Sequence, residues 1–248
     1  MKKVFISGSI ALKFIPQMVY ERLDNMIKGG LEILVGDALG IDLAVQEYFK
    51  KRGYFNVCVY GIYESARNMA SAEFNFTQVK VPLENVKKER ERQFFKDEEM
   101  ARACDYGLVI WDEKSSGCYK NIQNLYKFGK KYVVWDDKIK DFLKENEAMP
   151  ENVKICYEAN NGLSGEEFVE RLNMAEIKNT RDLNRFLMDK NFIKKDGDAY
   201  MAQSGYERYF IRKIYKGQET KQIKYSVDLI EKVEALLGGE IREQRLLF

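Results

Sequence analysis

The residues best suited to chemistry fall at three turns. In LEILVGDALGIDLAVQEYF, Leu31 to Phe49, an apolar run breaks at Gly36-Asp37 before an amphipathic segment begins. Gly36 allows a ligand close to the backbone. Gly40 stands where a helix would start, so N–H groups there could bind an anion with help from the helix dipole. Asp37 and Asp42 share that turn, and a carboxylate beside a phosphate repels it. These two acids are therefore open to three roles: binding ribose hydroxyls, capping the helix, or handling a sugar carbon in glycosidic-bond chemistry. They are the catalytic candidates of the chain.

The second turn is VFISGSIAL, where Ser7, Gly8 and Ser9 close an apolar run with a small residue and two hydroxyls. The steric need for glycine in a tight strand-to-helix turn explains Gly8 equally well. The third is DYGLVIWDEKSSGCYKNI, in which Asp112 ends a run and Ser115-Ser116-Gly117 leads into a helical segment near Tyr119. Hydroxyls and amides ahead of a helix make an anion pocket, with plain capping as the alternative. Arg67 and Asn68, in ESARNMASAEF, offer a bidentate phosphate contact and a base-edge reader. Tyr119 and Trp111 could stack on a base, although Trp111 reads as core, and Cys118 reads as packing.

Positioning these turns requires strands that end together. Val4-Phe5-Ile6, Ile33-Leu34-Val35, Val57 to Tyr60, Gly107 to Trp111 and Tyr132 to Trp135 are short apolar runs. They alternate with helical patterns at Gln17 to Lys28, Gly40 to Arg52, Lys88 to Cys104 and Tyr119 to Phe128. That alternation predicts an α/β, Rossmann-like, mostly parallel sheet with helices on both faces, and the three turns then share one sheet edge. The polar stretch after Gly61 is expected as an insertion on the ligand side. Lys88 to Cys104 has a sparse apolar face and charged flanks, so it reads as a solvated helix face and not as a binding stripe. Ile139 to Asn146 is a charged helix candidate. Val153 to Tyr157 is a short apolar segment, and Asn160-Asn161-Gly162 a turn.

Composition narrows the chemistry. The chain has 248 residues, 45% of them hydrophobic, and no histidine. Ser-His-Asp and Cys-His catalysis and most zinc sites are thereby excluded, and catalysis would rest on carboxylates, Lys, Tyr, Ser or Cys. Four cysteines without a CxxC pair indicate reduced thiols. No cofactor and no metal site is indicated. Without a long apolar run or a signal-like start, no membrane partner and a cytoplasmic location are expected. The formal net charge of +2 leaves nucleic-acid binding to a local basic patch.

Together VFISGS, LVGDALGID, ARN and DYGLVIWDEKSSGCYKNI with GKKYVVW resemble the SLOG superfamily. This Rossmann-like group includes lysine-decarboxylase-like phosphoribohydrolases and DNA-processing protein A. GDALGID is similar to the SGxAxGID segment of the latter, and the likeness covers roughly Lys2 to Asp136. It implies a nucleotide pocket, with Gly36 and Gly40 at the sugar-phosphate side and Ser115, Ser116 and Gly117 around a phosphate. The hydrolases of that group carry a glutamate four residues after the loop glycine, where this chain has Asn121. An amide cannot act as carboxylate base or nucleophile, which leaves Asp37, Asp42, Asp112 or Glu113 to supply one.

From Ile177 the pattern changes. Thr180 is placed to cap a helix from Arg181 to Lys190, Asp196-Gly197 and Lys216-Gly217 read as hairpin turns, and Val227 to Leu237 as a closing helix. This suits a small winged-helix-like α+β domain, similar to modules of DNA-processing proteins. Lys194, Lys195, Arg212, Lys213 and Lys216 are its candidate phosphate contacts, with a solvated hairpin or a dimerisation face as the alternative. The expected organisation is a nucleotide-binding domain over 1–160, a connector over 161–176, the winged-helix-like domain over 177–240 and a tail over 241–248. The expected function is binding of a nucleotide or ADP-ribose-type ligand, as a sensor or sequestering protein and as a homo-oligomer. The alternatives are an N-glycosidase acting on a nucleotide or NAD-like substrate, and a DNA-binding protein resembling DNA-processing protein A.

Overall fold

The computed structural model describes residues 1–82, 86, 88–215 and 218–247, with side chains described outside 213–221 and 239–247. The chain divides into two compact units, Met1–Ile155 and Cys156–Phe248.

The first unit is a seven-stranded sheet built from β1 (Lys3–Gly8), β2 (Glu32–Gly36), β3 (Val57–Gly61), β4 (Asn75–Gln78), β5 (Tyr106–Trp111), β6 (Lys131–Asp136) and β7 (Asp141–Phe142). Their order is β4-β3-β2-β1-β5-β6-β7, and all pairs are parallel except β6 with β7. The flanking helices are α1 (Tyr20–Lys28), α2 (Ile41–Lys51), α3 (Glu89–Ala103) and α4 (Ser116–Lys127). The apolar runs are strands because both sheet faces are covered, and Ile6, Ile33, Leu34, Leu108, Val109 and Ile110 are fully buried. Strand order reverses between β1 and β5. At such a point the connections leave in opposite directions and open a crevice at the strand ends.

One local expectation is corrected and two are made specific. Ile139 to Asn146 is not a helix: Lys140 has φ 58, and Asp141–Phe142 pairs with β6 as β7. Phe142 packs edge-on against Trp135 at 5.2 Å, a tertiary contact that overrides weak helix propensity. Val153 to Tyr157 lies inside α5 (Pro150–Asn161), which starts on a proline suited to a first helical position and is followed by Gly162 at φ 64. The stretch after Gly61 also contains β4, whose partly exposed NFTQ has no apolar run to announce an edge strand.

The second unit is α+β, with α6 (Gly165–Leu172), α7 (Thr180–Asp189), a hairpin of β8 (Ile193–Asp196) and β9 (Ala199–Ala202), a second of β10 (Phe210–Tyr215) and β11 (Gln218–Tyr225), and α8 (Asp228–Leu247). Its core gathers Phe168, Leu183, Leu187, Phe192, Tyr225, Leu229 and Val233. The expected connector thus holds α6, which has a full capping box between Ser164 and Glu167. The α7 cap is Asn179, whose Oδ1 accepts from the N–H groups of Arg181 and Asp182; Thr180 instead packs against Gly165. Gly197 has φ 55 in the β8–β9 turn, while Lys216-Gly217 lies outside the described residues. The arrangement is consistent with a winged helix.

Candidate functional site

The ends of β1, β2 and β5, the start of α4 and one face of α3 enclose a cleft of about 460 Å³. Gly8, Ser9, Gly36, Asp42, Arg67, Asp112, Ser115, Ser116, Gly117 and Asn121, all singled out from sequence, line it. Asp37, Gly40 and Asn68 do not.

Asp112 organises the rim. Its Oδ2 accepts from Ser9 Oγ at 2.7 Å, and its Oδ1 accepts from the N–H groups of Ser115 at 2.7 Å and Lys114 at 3.1 Å. This Asx turn swings the chain through Glu113, at φ 58, into α4. Ser115 caps that helix, its Oγ accepting from Cys118 N. The next hydroxyl, Ser116, accepts from Arg90 at 2.6 Å. A Cβ on Gly117 would meet only Ser115 Oγ, at 3.8 Å, so this turn of helix is open to an approaching group. Cys118 is buried, and burial pushes its thiol far above the ordinary value, which agrees with a packing role.

Glycines on the opposite side serve packing. A Cβ on Gly8 would stand 2.2 Å from the Ile41 side chain, and one on Gly40, at φ 78, 2.6 Å from the Ile10 backbone. Gly36 has a chemical consequence: a Cβ there would fall 2.3 Å from Asp42 Oδ2 and 3.0 Å from Lys96 Nζ. The missing side chain leaves the room that both groups need.

The two candidate acids separate. Asp37 is fully buried, and its carboxylate accepts from the Arg67 guanidinium at 2.6 Å and the Arg67 N–H at 3.1 Å, while Asn68 Nδ2 donates to its carbonyl. Burial raises its pKa, but the Arg67 bonds and Lys96 outweigh it and hold the carboxyl below the usual range. Asp37 therefore ties the segment after β3 to the β2 turn. Asp42 keeps partial exposure through the cleft, although protein atoms surround its carboxyl. Burial, with Asp97 and Asp37 adding repulsion, pushes it up to about 7 against the pull of Lys96.

Lys96, nearly buried, lies 3.1 Å from Asp97 and stays charged: burial lowers its pKa, but Asp97, Asp42 and Asp37 raise it further. With Arg90, Gln93, Phe94 and Asp97 it forms the α3 wall of the cleft. This corrects the reading of Lys88 to Cys104 as a solvated face. The usable signal was the spacing of 90, 93, 94 and 97, which share one side of a helix. At the floor, Asn121 Nδ2 donates to Ser7 Oγ at 2.7 Å, and its Oδ1 has no partner among the described residues. Trp111 is core, its Nε1 donating to the Ser115 carbonyl, and Tyr119 does not line the cleft.

A larger, open groove of about 1790 Å³ adjoins the cleft at Ile10, between α1 and α2. Ile10, Phe14, Met18 and Leu39 are exposed along it, Phe14 at 83%. In the second unit Lys194 and Lys195 are exposed on β8, and the Arg212 guanidinium donates to the Tyr200 carbonyl. Lys216 and the side chain of Lys213 lie outside the described residues. Among the described residues no helix is long and apolar enough to cross a membrane, and no three metal-ligating side chains cluster.

No family model matches the chain, and no curated protein does. Among solved structures it is weakly similar to DNA-processing protein A from Helicobacter pylori, described for its single-stranded DNA binding mode. The identity is 16% and the TM-score 0.41, over 76% of this chain and 81% of that one.

Proposed function

We propose that this protein binds a phosphate-bearing nucleotide unit in the cleft. The observation that carries the reading is the start of α4. There the first-turn N–H groups of Ser116 and Gly117, the Ser116 hydroxyl and the Arg90 guanidinium lie together at one end of the cleft, with exposed Lys114 beside them. First-turn N–H groups are donors that a helix leaves unpaired, and the dipole favours an anion at that end. Two of the cleft acids oppose it less than their number suggests: Asp97 is paired with Lys96, and Asp42 is half neutral near pH 7, while Asp112 turns its oxygens to Ser9 and two N–H groups. With an amide at Asn121 in place of the glutamate of the similar hydrolases, the bound unit is held and not cut, as in a sensor or sequestering protein.

Such a unit comes from a free nucleotide or from a single strand of DNA. The strand reading draws on the groove that adjoins the cleft at Ile10, whose lining includes the exposed Phe14 ring and the cations Lys13, Lys50 and Lys51 together with the acids Glu21, Asp24 and Glu47. Aromatic faces with flanking cations are the chemistry of single-strand binding. It gives this chain the kind of ligand described for DNA-processing protein A on the strength of that groove, not of the likeness.

Isothermal titration of the full chain with nucleotides, ADP-ribose and a single-stranded oligodeoxynucleotide tests both. Saturable binding of a mononucleotide, recovered intact by chromatography, supports the free-ligand reading. Salt-dependent binding of the oligonucleotide alone supports the strand reading. Absence of binding to all of them refutes the proposal.

A further inference from the structure

We propose that α3 is the wall that reads the nucleobase, through the amide of Gln93, and that Asn121 accepts a hydrogen bond from a sugar hydroxyl; this rests on the free-nucleotide reading of the cleft, because sugars within a DNA strand carry no free hydroxyl. Gln93 lines the cleft, yet neither its Nε2 nor its Oε1 has a partner among the described residues, and both are shut off from solvent. Buried amides are nearly always paired, and an unpaired one destabilises the ligand-free fold. An amide offers one donor side by side with one acceptor, the pattern with which base edges are met. Phe94, next to it on the same wall, has the Arg90 guanidinium over its ring at 5.4 Å, which joins the base side of the cleft to the phosphate side.

The Asn121 contact is narrower. Its Nδ2 is spent on Ser7, so only the acceptor Oδ1 remains, on a residue that is 2% exposed at the cleft floor. An ionised phosphate oxygen is itself an acceptor and cannot satisfy it. A sugar hydroxyl can, at any pH. The phosphate therefore belongs at the donors of Ser116, Gly117 and Arg90, the hydroxyl-bearing sugar at Asn121, and the base against α3. The order of the ligand in the cleft follows from which partner each protein group lacks. A rotation of the Gln93 side chain brings its amide to the base as the ligand enters.

The test titrates the full chain, calorimetrically, with the four common ribonucleoside 5′-monophosphates, ribose 5-phosphate and inorganic phosphate. Gln93→Leu is expected to weaken the best-bound monophosphate about tenfold, the equivalent of one lost hydrogen-bonded pair, and to leave ribose 5-phosphate unchanged. Asn121→Leu weakens both sugar-containing ligands and leaves inorganic phosphate unchanged. Gln93→Glu, which removes the donor, changes the ranking of the four bases. The proposal is overturned if Gln93→Leu leaves every affinity unchanged, as for an amide solvated only by water, or weakens ribose 5-phosphate as much as the monophosphate. If inorganic phosphate binds and no monophosphate binds better, the base-reading wall is refuted while the phosphate seat stands. Loss of binding to all three classes in the native chain refutes the seat itself. Gln93→Leu breaks no hydrogen bond of the fold, so this arm stays decisive whatever Asn121→Leu does to folding.

Discussion

At the scale of single residues, two aspartates five positions apart meet opposite fates, and each has a measurable consequence. Asp37 is buried against Arg67, so Arg67→Met strips a buried carboxylate of its counter-charge, leaving it only the backbone N–H of residue 67, and is expected to cost about 2–3 kcal/mol in urea unfolding at pH 7. Because its folded pKa is depressed, the stability that Asp37 contributes is present above its ordinary value and lost as pH falls through the lower, folded one. The penalty of Arg67→Met should therefore shrink in strong acid. Asp42 runs the other way. Its carboxyl, raised to about 7, favours the folded state at low pH, and that contribution is lost as pH rises from the ordinary carboxylate range through 7. Asp42→Asn should accordingly change little near pH 4 and raise stability by on the order of 1 kcal/mol at pH 8.5, read as thermal midpoints across pH. Gln93→Leu removes an unpaired buried amide, so it should raise the ligand-free melting temperature while weakening nucleotide binding. A purely structural glutamine would not give that trade.

At the scale of elements, α4 does two jobs at one end, and they can be separated. Ser115→Ala removes the cap and should cost about 1 kcal/mol of stability. Ser116→Asp places a carboxylate in the first turn, where the helix dipole welcomes it, so the fold is kept or slightly stabilised. The same charge occupies the anion seat, and nucleotide binding should fall by at least about tenfold in the titration. If Ser116→Asp binds as well as the native chain, the phosphate is not held there. The α3 wall shows why a charged helix can be misjudged. Its apolar residues are few, so its pattern reads as solvated, but Met100 and Ala101 anchor one side and Lys96 turns in among three acids. The polar side that this leaves faces a cleft.

At the scale of the whole molecule, two units with separate cores divide the candidate chemistry. Neutralising Lys194 and Lys195 together tests whether the second unit contributes to strand binding. If it does, the slope of log affinity against log salt for a single-stranded oligonucleotide should drop by about 1.4, with mononucleotide binding unchanged. The alternation of apolar runs and helical patterns was enough to read the parallel sheet, because strands covered on both faces must be continuously apolar. The three turns were legible for a related reason: glycines, serines and acids at the ends of such runs have few places to go. The sequence by itself determined that these turns share an edge, and that no histidine takes part. Tertiary structure alone decided their roles. It closed Asp37 behind Arg67, left room at Gly36 for Asp42 and Lys96, and set α3 opposite α4 to complete the cleft. Burial and pairing depend on groups far apart in the chain, and no local pattern encodes the distance between them.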